Sequence, residues 1–393
     1  MTENLRNKIN HHIQWLTNHS HQDNAFSSKK NDQLLQNLVN DLLLFSTKKM
    51  SSDIHLEPQE NTIRIRLRVD GVLSEHFILP KYIHNQLCCK LKIMANIDIA
   101  QTRQPQDGKF IFHSDNSLRI HIRISTCPTV RGEKIVLRLL KDNQHAPALN
   151  SLGMNLQQLD IFTQAISNPH GLILITGPTG SGKTSTLYSA ISHINTEAKN
   201  VITIEDPVEV QISGVNQINI NLKADLSFSS ALRSILRQDP DVIMIGEIRD
   251  EETAKIAIKA ANTGHLVLAT LHTNNCIETI NRLSQMNLDR SEFISCLNII
   301  ISQRLLRKKC PYCTHDKIKL NCECTNGYFG RHGIFEMLSL SESLKNYIIN
   351  NPYCKESDIT QSYQFISLHQ QALSCVREGT ATFEEVKRVF NLC

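Results

Sequence analysis

Residues 171–184 read GLILITGPTGSGKT, an apolar run that leads into the pattern G-x-x-x-x-G-K-T at 177–184. A stretch capable of forming a helix follows from Ser185. Strand, glycine turn and helix start together direct backbone N–H groups and the positive end of the helix toward one anion. An isolated glycine turn would not need both flanking elements. The stretch therefore predicts a nucleoside triphosphate site in an α/β domain.

The loop itself supplies the predicted contacts to ATP. Glycines permit backbone geometry that a side chain would block. Lys183 can reach the β- and γ-phosphates as a point charge, and the Thr184 hydroxyl can ligate Mg²⁺. The predicted nucleotide-binding residues of this loop are Gly177, Pro178, Thr179, Gly180, Ser181, Gly182, Lys183, Thr184 and Ser185.

The composition limits the class of protein. The chain has 393 residues and a formal net charge of +4, so we expect two or three domains and only mild basicity. It contains no apolar run of roughly 18 residues and no secretory signal pattern, so we expect neither a membrane span nor export. Twelve cysteines are too few for a disulfide scaffold. We therefore expect a cytosolic protein with free or metal-bound thiols.

The apolar pattern changes along the chain. Alternation at 52–58, 62–69 and 119–125 predicts strands, with Asp70-Gly71 and Asp107-Gly108 as turns. Later apolar strands separated by helical stretches predict a mostly parallel sheet with helices on both faces; they lie at 171–176, 201–205, 242–246 and 265–271. We expect six segments: a polar and helical lead-in (1–45), a small α+β domain (46–140), a linker (141–150), the nucleotide domain (151–305), a cysteine segment (306–338) and C-terminal helices (339–393).

Carboxylates follow two of the predicted strands. The predicted strand at 201–205 ends in a group of acids, namely Glu205, Asp206 and Glu209. At the carboxyl edge of a sheet such acids face a ligand crevice. They could instead cap the next helix. Glu247 follows the strand at 242–245, where it could polarise the attacking water and hold the Mg²⁺ shell. Its alternative is a solvated helix-capping glutamate.

Histidines and arginines supply further candidates. His272 ends a core strand, where a neutral imidazole could sense the γ-phosphate, whereas His265 begins that strand and is expected to be structural. Arg233 and Arg237 are one helical turn apart, and Arg282 lies on a later helix. Surface salt bridges are the alternative for these arginines.

The segments GPTGSGKT, ITIEDPVE, LRSILRQDPDVIMIGEIRD and TGHLVLATLHT occur in this order. The chain thereby resembles the secretion ATPases of type II secretion and type IV pilus assembly. The likeness begins near Asp53 (SDIHLEP), includes RLRVDGVL and RISTCPTVRGEKIVLRLL, and reaches GYFGRHGIFEML near residue 338. It implies a RecA-like ATPase domain behind a small PAS-like α+β domain.

The resemblance also implies roles for individual residues. It implies a homohexamer with ATP held between two domains, Glu247 as the catalytic glutamate, Glu209 as the functional acid and His272 near the γ-phosphate. Closure of the domains would bring cations onto the phosphates, neutralising charge only when the site is shut. The cations that move would be Arg123 and Arg138 of the small domain, and Arg233, Arg237 and Arg282 would complete the ring of cations.

Four cysteines form the pattern C-x2-C-x8-C-x-C, namely Cys310, Cys313, Cys322 and Cys324. Four thiolates from two short turns suit tetrahedral Zn²⁺, which would stabilise a segment too small to hold itself. The second pair departs from the usual C-x2-C, and the alternative is that these cysteines pack as small buried hydrophobes. The assembly members of the resembled family carry such cysteines, and its retraction motors lack them.

The resemblance favours a motor that drives a pilus or a secretion pseudopilus from the cytoplasmic face of the inner membrane, bound peripherally through a platform protein. Only about 45 residues precede the small domain, so relatives from DNA-uptake systems are equally apt comparisons. A retraction motor, a nucleic-acid translocase and a nucleotide-gated binding protein are the alternatives. With 5% aromatic residues and a charge of +4, we expect no direct nucleic-acid binding.

Overall fold

The computed structural model describes residues 2–18, 25–113, 119–141, 146–313, 322, 324–351, 359 and 365–392. The chain forms two compact units. Unit 1 comprises Met1–Asp142 and Cys310–Phe329, and unit 2 comprises Asn143–Lys309 and Gly330–Cys393. The six segments expected from the sequence stay a prediction.

Unit 1 contains a six-stranded antiparallel sheet. Alternation within one strand sets its two faces, because Ile63, Ile65 and Leu67 are buried whereas the arginines between them are not. The strands are β1 (Ser51–Pro58), β2 (Thr62–Val69), β3 (Val72–Pro80), β4 (Gln106–His113), β5 (Arg119–Thr129) and β6 (Gly132–Lys141), in the spatial order β3-β2-β1-β6-β5-β4. The expected strands at 52–58, 62–69 and 119–125 lie within β1, β2 and β5.

Three helices belong to unit 1: α1 (Thr2–Asn18), α2 (Ala25–Lys48) and α3 (His84–Met94). The lead-in expected to be polar contributes to the core, since Leu5, Ile9 and Leu16 of α1 are buried in the same cluster as the sheet. The apolar face of this helix is thus covered by the sheet and α2.

The turn predicted at Asp107-Gly108 is wrong, because both residues lie inside β4. A Cβ on Gly108 would be 2.7 Å from Cγ2 of Ile97 and 3.0 Å from the carbonyl oxygen of Ala95. The glycine is required by a close approach of the chain after α3, and not by a reversal of direction.

Unit 2 contains a seven-stranded sheet, in the order β13-β12-β7-β11-β10-β8-β9. Its strands are β7 (Gly171–Thr176), β8 (Val201–Glu205), β9 (Asn216–Asn219), β10 (Val242–Ile245), β11 (Leu266–Leu271), β12 (Leu297–Lys309) and β13 (Tyr328–Ser339). Strands β12, β7, β11, β10, β8 and β9 pair in parallel. The four strands predicted for this sheet are therefore confirmed to within one residue.

Helices cover both faces of this sheet. Leu172 and Leu174 pack in one apolar cluster, whereas Ile173 and Ile175 pack in another on the opposite face. The helices are α4 (Leu156–Ser167), α5 (Lys183–Ile194), α6 (Phe228–Ile235), α7 (Glu251–Asn262), α8 (Cys276–Ser284), α9 (Arg290–Cys296), α10 (Glu342–Asn350), α11 (Leu368–Arg377) and α12 (Phe383–Phe390). The predicted α/β fold class is confirmed, and the parallel strands bring their carboxyl ends to one edge.

Candidate nucleotide-binding site

The predicted phosphate loop connects β7 to α5 at the carboxyl edge of the sheet. Gly177, Gly180 and Gly182 have φ angles of +148°, +80° and +92°, which side chains rarely adopt. A Cβ on Gly177 would also be 2.6 Å from the carbonyl oxygen of Gln303 and from Oγ of Ser181. The loop geometry that exposes its N–H groups thus depends on glycine.

Lys183 is the first residue of α5 and is buried. Its Nζ donates to the carbonyl oxygens of Gly177, at 2.7 Å, and Pro178, at 3.2 Å. Burial lowers the pKa of Lys183 to about 8; Arg304 also lowers it, and Glu247 opposes the shift. Among the described residues, no carboxylate lies within ion-pair distance of Nζ. A buried cation therefore lies at the loop where an anionic phosphate is expected.

Glu247 and His272 meet at the ends of β10 and β11. His272 Nε2 lies 3.5 Å from Oε2 of Glu247, whose side chain is only 18% exposed. The pKa of His272 is lowered, mainly by burial and then by the positive charge of Lys183. The structure thus brings together the lysine, glutamate and histidine that the sequence singled out on three separate segments.

Arg249 is a residue of this site that the sequence reasoning missed. Its guanidinium is paired with Oε1 of Glu247 and lies 3.6 Å from Oδ2 of Asp206. The hydrogen bond to Glu247 raises the pKa of Arg249. Its position two residues after Glu247 in the sequence was the available signal, since alternate residues after a strand can share a side.

The carboxylates after β8 have different surroundings. Glu205 is buried and accepts hydrogen bonds from Tyr188, from Thr203 at 2.6 Å and from Gln217 at 3.1 Å. Its oxygens are therefore occupied by internal donors, whereas Asp206 and Glu209 are exposed. The backbone N–H of Glu209 donates to the Tyr188 hydroxyl at 3.1 Å, which ties this loop to α5.

The predicted arginines do not contact the phosphate loop in the described contacts. Arg233 is paired with Glu252 of α7, and Arg237 donates to the carbonyl oxygen of Arg233 at 2.9 Å. Arg282 is exposed on α8. In unit 1, Arg123 and Arg138 are cross-strand neighbours, and Arg138 Nε lies 3.0 Å from Oδ1 of Asp53. Their contact with phosphate stays a prediction.

The four predicted cysteines form one cluster. Their Sγ atoms all lie within 4.8 Å of one another, and those of Cys310 and Cys322 are 3.6 Å apart. Sulfurs bound at about 2.3 Å around a tetrahedral ion are roughly 3.8 Å apart. The donor set and spacing of Cys310, Cys313, Cys322 and Cys324 therefore fit Zn²⁺.

Comparison with known proteins relates this site to a family. A family model described as "Type II/IV secretion system protein" matches residues 28–388. The type IV pilus assembly ATPase PilB of Acinetobacter baylyi is 40% identical over 92% of this chain and 67% of its own length. The type II secretion system ATPase E of Vibrio cholerae is 39% identical over 94% of this chain and 78% of its own length.

Solved structures agree in fold. The pilus retraction motor PilT with bound ADP has a TM-score of 0.62 at 29% identity, covering 89% of this chain and 96% of that one. The Legionella pneumophila ATPase DotB has a TM-score of 0.71 at 22% identity, covering 90% and 95%. Within the part of the chain that the structure describes, we find no helix with the length and apolarity needed to span a bilayer.

Proposed function

We propose a specific motor function on the premise that this chain belongs to the type II/IV secretion system protein family. The chain is an ATPase of secretion and pilus systems. We infer that it acts as a homohexamer whose ATP hydrolysis powers assembly of a type IV pilus or a type II secretion pseudopilus. The observation that carries this proposal is the convergence of Lys183, Glu247 and His272 beside the phosphate loop.

These residues suggest a division of tasks in hydrolysis. Lys183 binds the phosphates of ATP, and Glu247 orients the attacking water and accepts its proton. His272, kept neutral, hydrogen-bonds the γ-phosphate. Thr184, in the first turn of α5, would hold Mg²⁺, and the ion would compensate the charge of the phosphates.

Further polar residues complete the proposed site. Glu209, on the exposed loop after β8, is the second functional acid. Cations supply the charge compensation that phosphoryl transfer requires. They are Arg123, Arg138, Arg233, Arg237 and Arg282.

We infer that the four-cysteine cluster holds Zn²⁺. Three of its residues are buried, and the cluster belongs to the segment between β12 and β13. Bound through thiolates, the ion would stabilise a segment with few apolar residues of its own, as structural zinc does elsewhere.

Assembly is favoured over retraction by the comparisons. The relatives PilB and ATPase E, which are 40% and 39% identical to this chain, are named as assembly and secretion ATPases, and the four-cysteine cluster is the feature expected of assembly members. We infer that the motor lies peripherally on the cytoplasmic face of the inner membrane and pushes on a platform protein there. Direct binding of nucleic acid has no part in the proposal.

The test is hydrolysis and assembly by the full chain. The purified protein should hydrolyse Mg-ATP, sediment as a hexamer with nucleotide, and lose hydrolysis with Lys183→Ala. Deletion of its gene should remove surface pili or the secreted substrate, and the wild-type gene should restore them. A protein that forms hexamers yet leaves ATP intact, with its membrane partner supplied, would overturn the proposal. Strand-stimulated hydrolysis with salt-dependent binding to DNA would favour a translocase instead.

A further inference from the structure

Two adjacent residues of β12, Gln303 and Arg304, are buried beside the candidate site, and neither was assigned a role from the sequence. Strand β12 pairs in parallel with β7, with Ser302 opposite Thr176, the last residue before the phosphate loop. Because neighbouring residues of a strand point to opposite faces, Gln303 and Arg304 can reach different loops from this one position.

Gln303 contacts the phosphate loop and its helix. Its Oε1 accepts a hydrogen bond from Oγ1 of Thr186, in the first turn of α5, at 2.8 Å. A Cβ on Gly182 would lie 2.8 Å from its Nε2, and a Cβ on Gly177 would lie 2.6 Å from its carbonyl oxygen. Gln303 thus packs closely against the phosphate loop at both of its ends, near Gly177 and near Gly182.

Arg304 contacts the loop that follows β11 and carries His272. Its Nη2 donates to the carbonyl oxygen of Asn274, at 3.0 Å, and to Oδ1 of the same residue, at 3.2 Å. Oγ of Ser302 donates to the same carbonyl oxygen at 3.1 Å. Asn274 lies two residues beyond His272, so these bonds fix the backbone that places the imidazole.

Arg304 is a buried cation whose hydrogen-bond acceptors are neutral. The third of its described bonds runs from Nη1 to the carbonyl oxygen of Gln303, at 3.0 Å. In the described part of the chain, no carboxylate lies within ion-pair distance of it. Burial lowers the pKa of Arg304, and the more distant carboxylates of Glu336 and Glu278 oppose that shift, so the charge is compensated at longer range while the three hydrogen bonds fix where the guanidinium lies.

We propose that Gln303 and Arg304 are positioning residues that couple the phosphate loop to the His272 loop. Gln303 sets the loop that binds ATP, and Arg304 sets the imidazole that meets the γ-phosphate. This inference rests on the proposed function. It assigns different kinetic effects to two neighbouring residues, which a role in stability alone would not.

The test compares steady-state hydrolysis of Mg-ATP by variants of the full chain. Arg304→Gln should lower kcat roughly ten- to hundredfold with little change in KM, because misplacing a catalytic group costs about that much. Arg304→Lys, which keeps a donor, should recover part of the loss. Gln303→Leu should instead raise KM and the Kd for Mg-ADP.

A double variant and a matched control sharpen the comparison. If Arg304 acts through His272, the kcat of the double variant Arg304→Gln/His272→Gln should be no lower than the kcat of the less active single variant. The control is Arg290→Gln, because Arg290 also donates to carbonyl oxygens, those of Ile348 and Asn351, away from the site. Its kcat and KM should match the wild type.

If Arg304→Gln does not fold, Asn274→Ala decides the matter, since Asn274 is exposed and the change removes the Oδ1 that accepts from Arg304, together with a 3.3 Å bond from Nδ2 to Glu278 on the surface. It should lower kcat several-fold. This inference would be overturned if either folded variant kept the kcat of the wild type, or if its effect on kcat added to that of His272→Gln. The proposed function would still stand as long as the wild-type protein hydrolyses ATP. A wild-type protein without ATP turnover would overturn both.

Discussion

Nε2 of His272 lies 3.5 Å from Oε2 of Glu247, across the carboxyl ends of two parallel strands. The other carboxylate oxygen of Glu247 is paired with Arg249. A glutamate placed between a neutral imidazole and a guanidinium can take a proton from a water while both neighbours hold it in place.

The imidazole of His272 should act as a neutral hydrogen-bonding group. Its pKa is lowered from the ordinary 6.5, so the neutral form predominates at neutral pH, and kcat should be level from pH 7 to pH 8 as far as this residue is concerned. His272→Gln should lose less activity than His272→Ala, which should lose roughly tenfold or more. His265→Gln is the control, because His265 contacts the carbonyl oxygen of Ala260 at the other end of β11. A kcat that rises with protonation of His272 would contradict this role.

Lys183 should destabilise the nucleotide-free protein at neutral pH. Burial lowers its pKa from the ordinary value of 10.5 to about 8. Between pH 8 and pH 10.5 the unfolded chain still binds the proton that the folded chain has lost, so the free energy of unfolding rises with pH in this range. The destabilisation by Lys183 is therefore fully present below pH 8 and disappears toward pH 10.5. Lys183→Met should therefore raise Tm at pH 7, with a gain that shrinks toward pH 10.

Thermal unfolding without nucleotide measures this effect. Lys259→Met, a change at an exposed lysine of α7, is the control and should show no such pH dependence. A Lys183→Met protein that melts below the wild type at pH 7 would mean that the ammonium group stabilises the empty loop.

The cysteine cluster should contain one zinc ion per chain, because four sulfurs that lie within 4.8 Å of one another are the donor set that Zn²⁺ prefers. Elemental analysis of the purified protein measures the content directly. Changing Cys310 and Cys313 together to serine should remove the metal and lower Tm. Cys127→Ser, at an exposed cysteine outside the cluster, should keep it. Metal-free protein of unchanged Tm would exclude the site.

A side chain at position 108 should destabilise unit 1. Its Cβ would lie 2.7 Å from Ile97, so Gly108→Ala should lower the free energy of unfolding by about 1–3 kcal/mol through overpacking. Urea denaturation of the full chain measures it. Ser125→Ala, at an exposed position of the neighbouring strand β5, is the control. Equal stability of the two variants would mean that the chain after α3 moves aside at little cost.

Local patterns predicted the parts of the molecule that are local. The phosphate loop, the four parallel strands and the cysteine cluster each follow from residues close in sequence. The turn prediction at Asp107-Gly108 is wrong because the glycine is needed where Ile97 packs closely against β4, a contact that the local sequence does not reveal. Contacts of this kind, between residues far apart in sequence, also determine the surroundings of the polar residues at the candidate site.

Long-range contacts also decided which polar residues are available at the site. Glu205 was counted among the candidate acids, yet Tyr188 and Gln217, from other elements, occupy its oxygens. The bond from Thr186 to Gln303 joins residues 117 positions apart, and no sequence pattern pairs them. Sequence reasoning found the groups that carry the chemistry, and the structure found those that hold them.

The most direct test of the account is the Glu247→Gln variant, assayed for binding and for hydrolysis of Mg-ATP in the same preparation. The amide keeps the shape of the side chain and its hydrogen bond to Arg249 but cannot accept the proton of the attacking water. Glu251→Gln, the same change at a surface glutamate of α7, is the control and should behave as the wild type. We predict ATP bound with near wild-type affinity and turnover reduced by about 10²–10⁴-fold. Turnover at the wild-type rate would contradict the account, because Glu247 would then have no part in the chemistry.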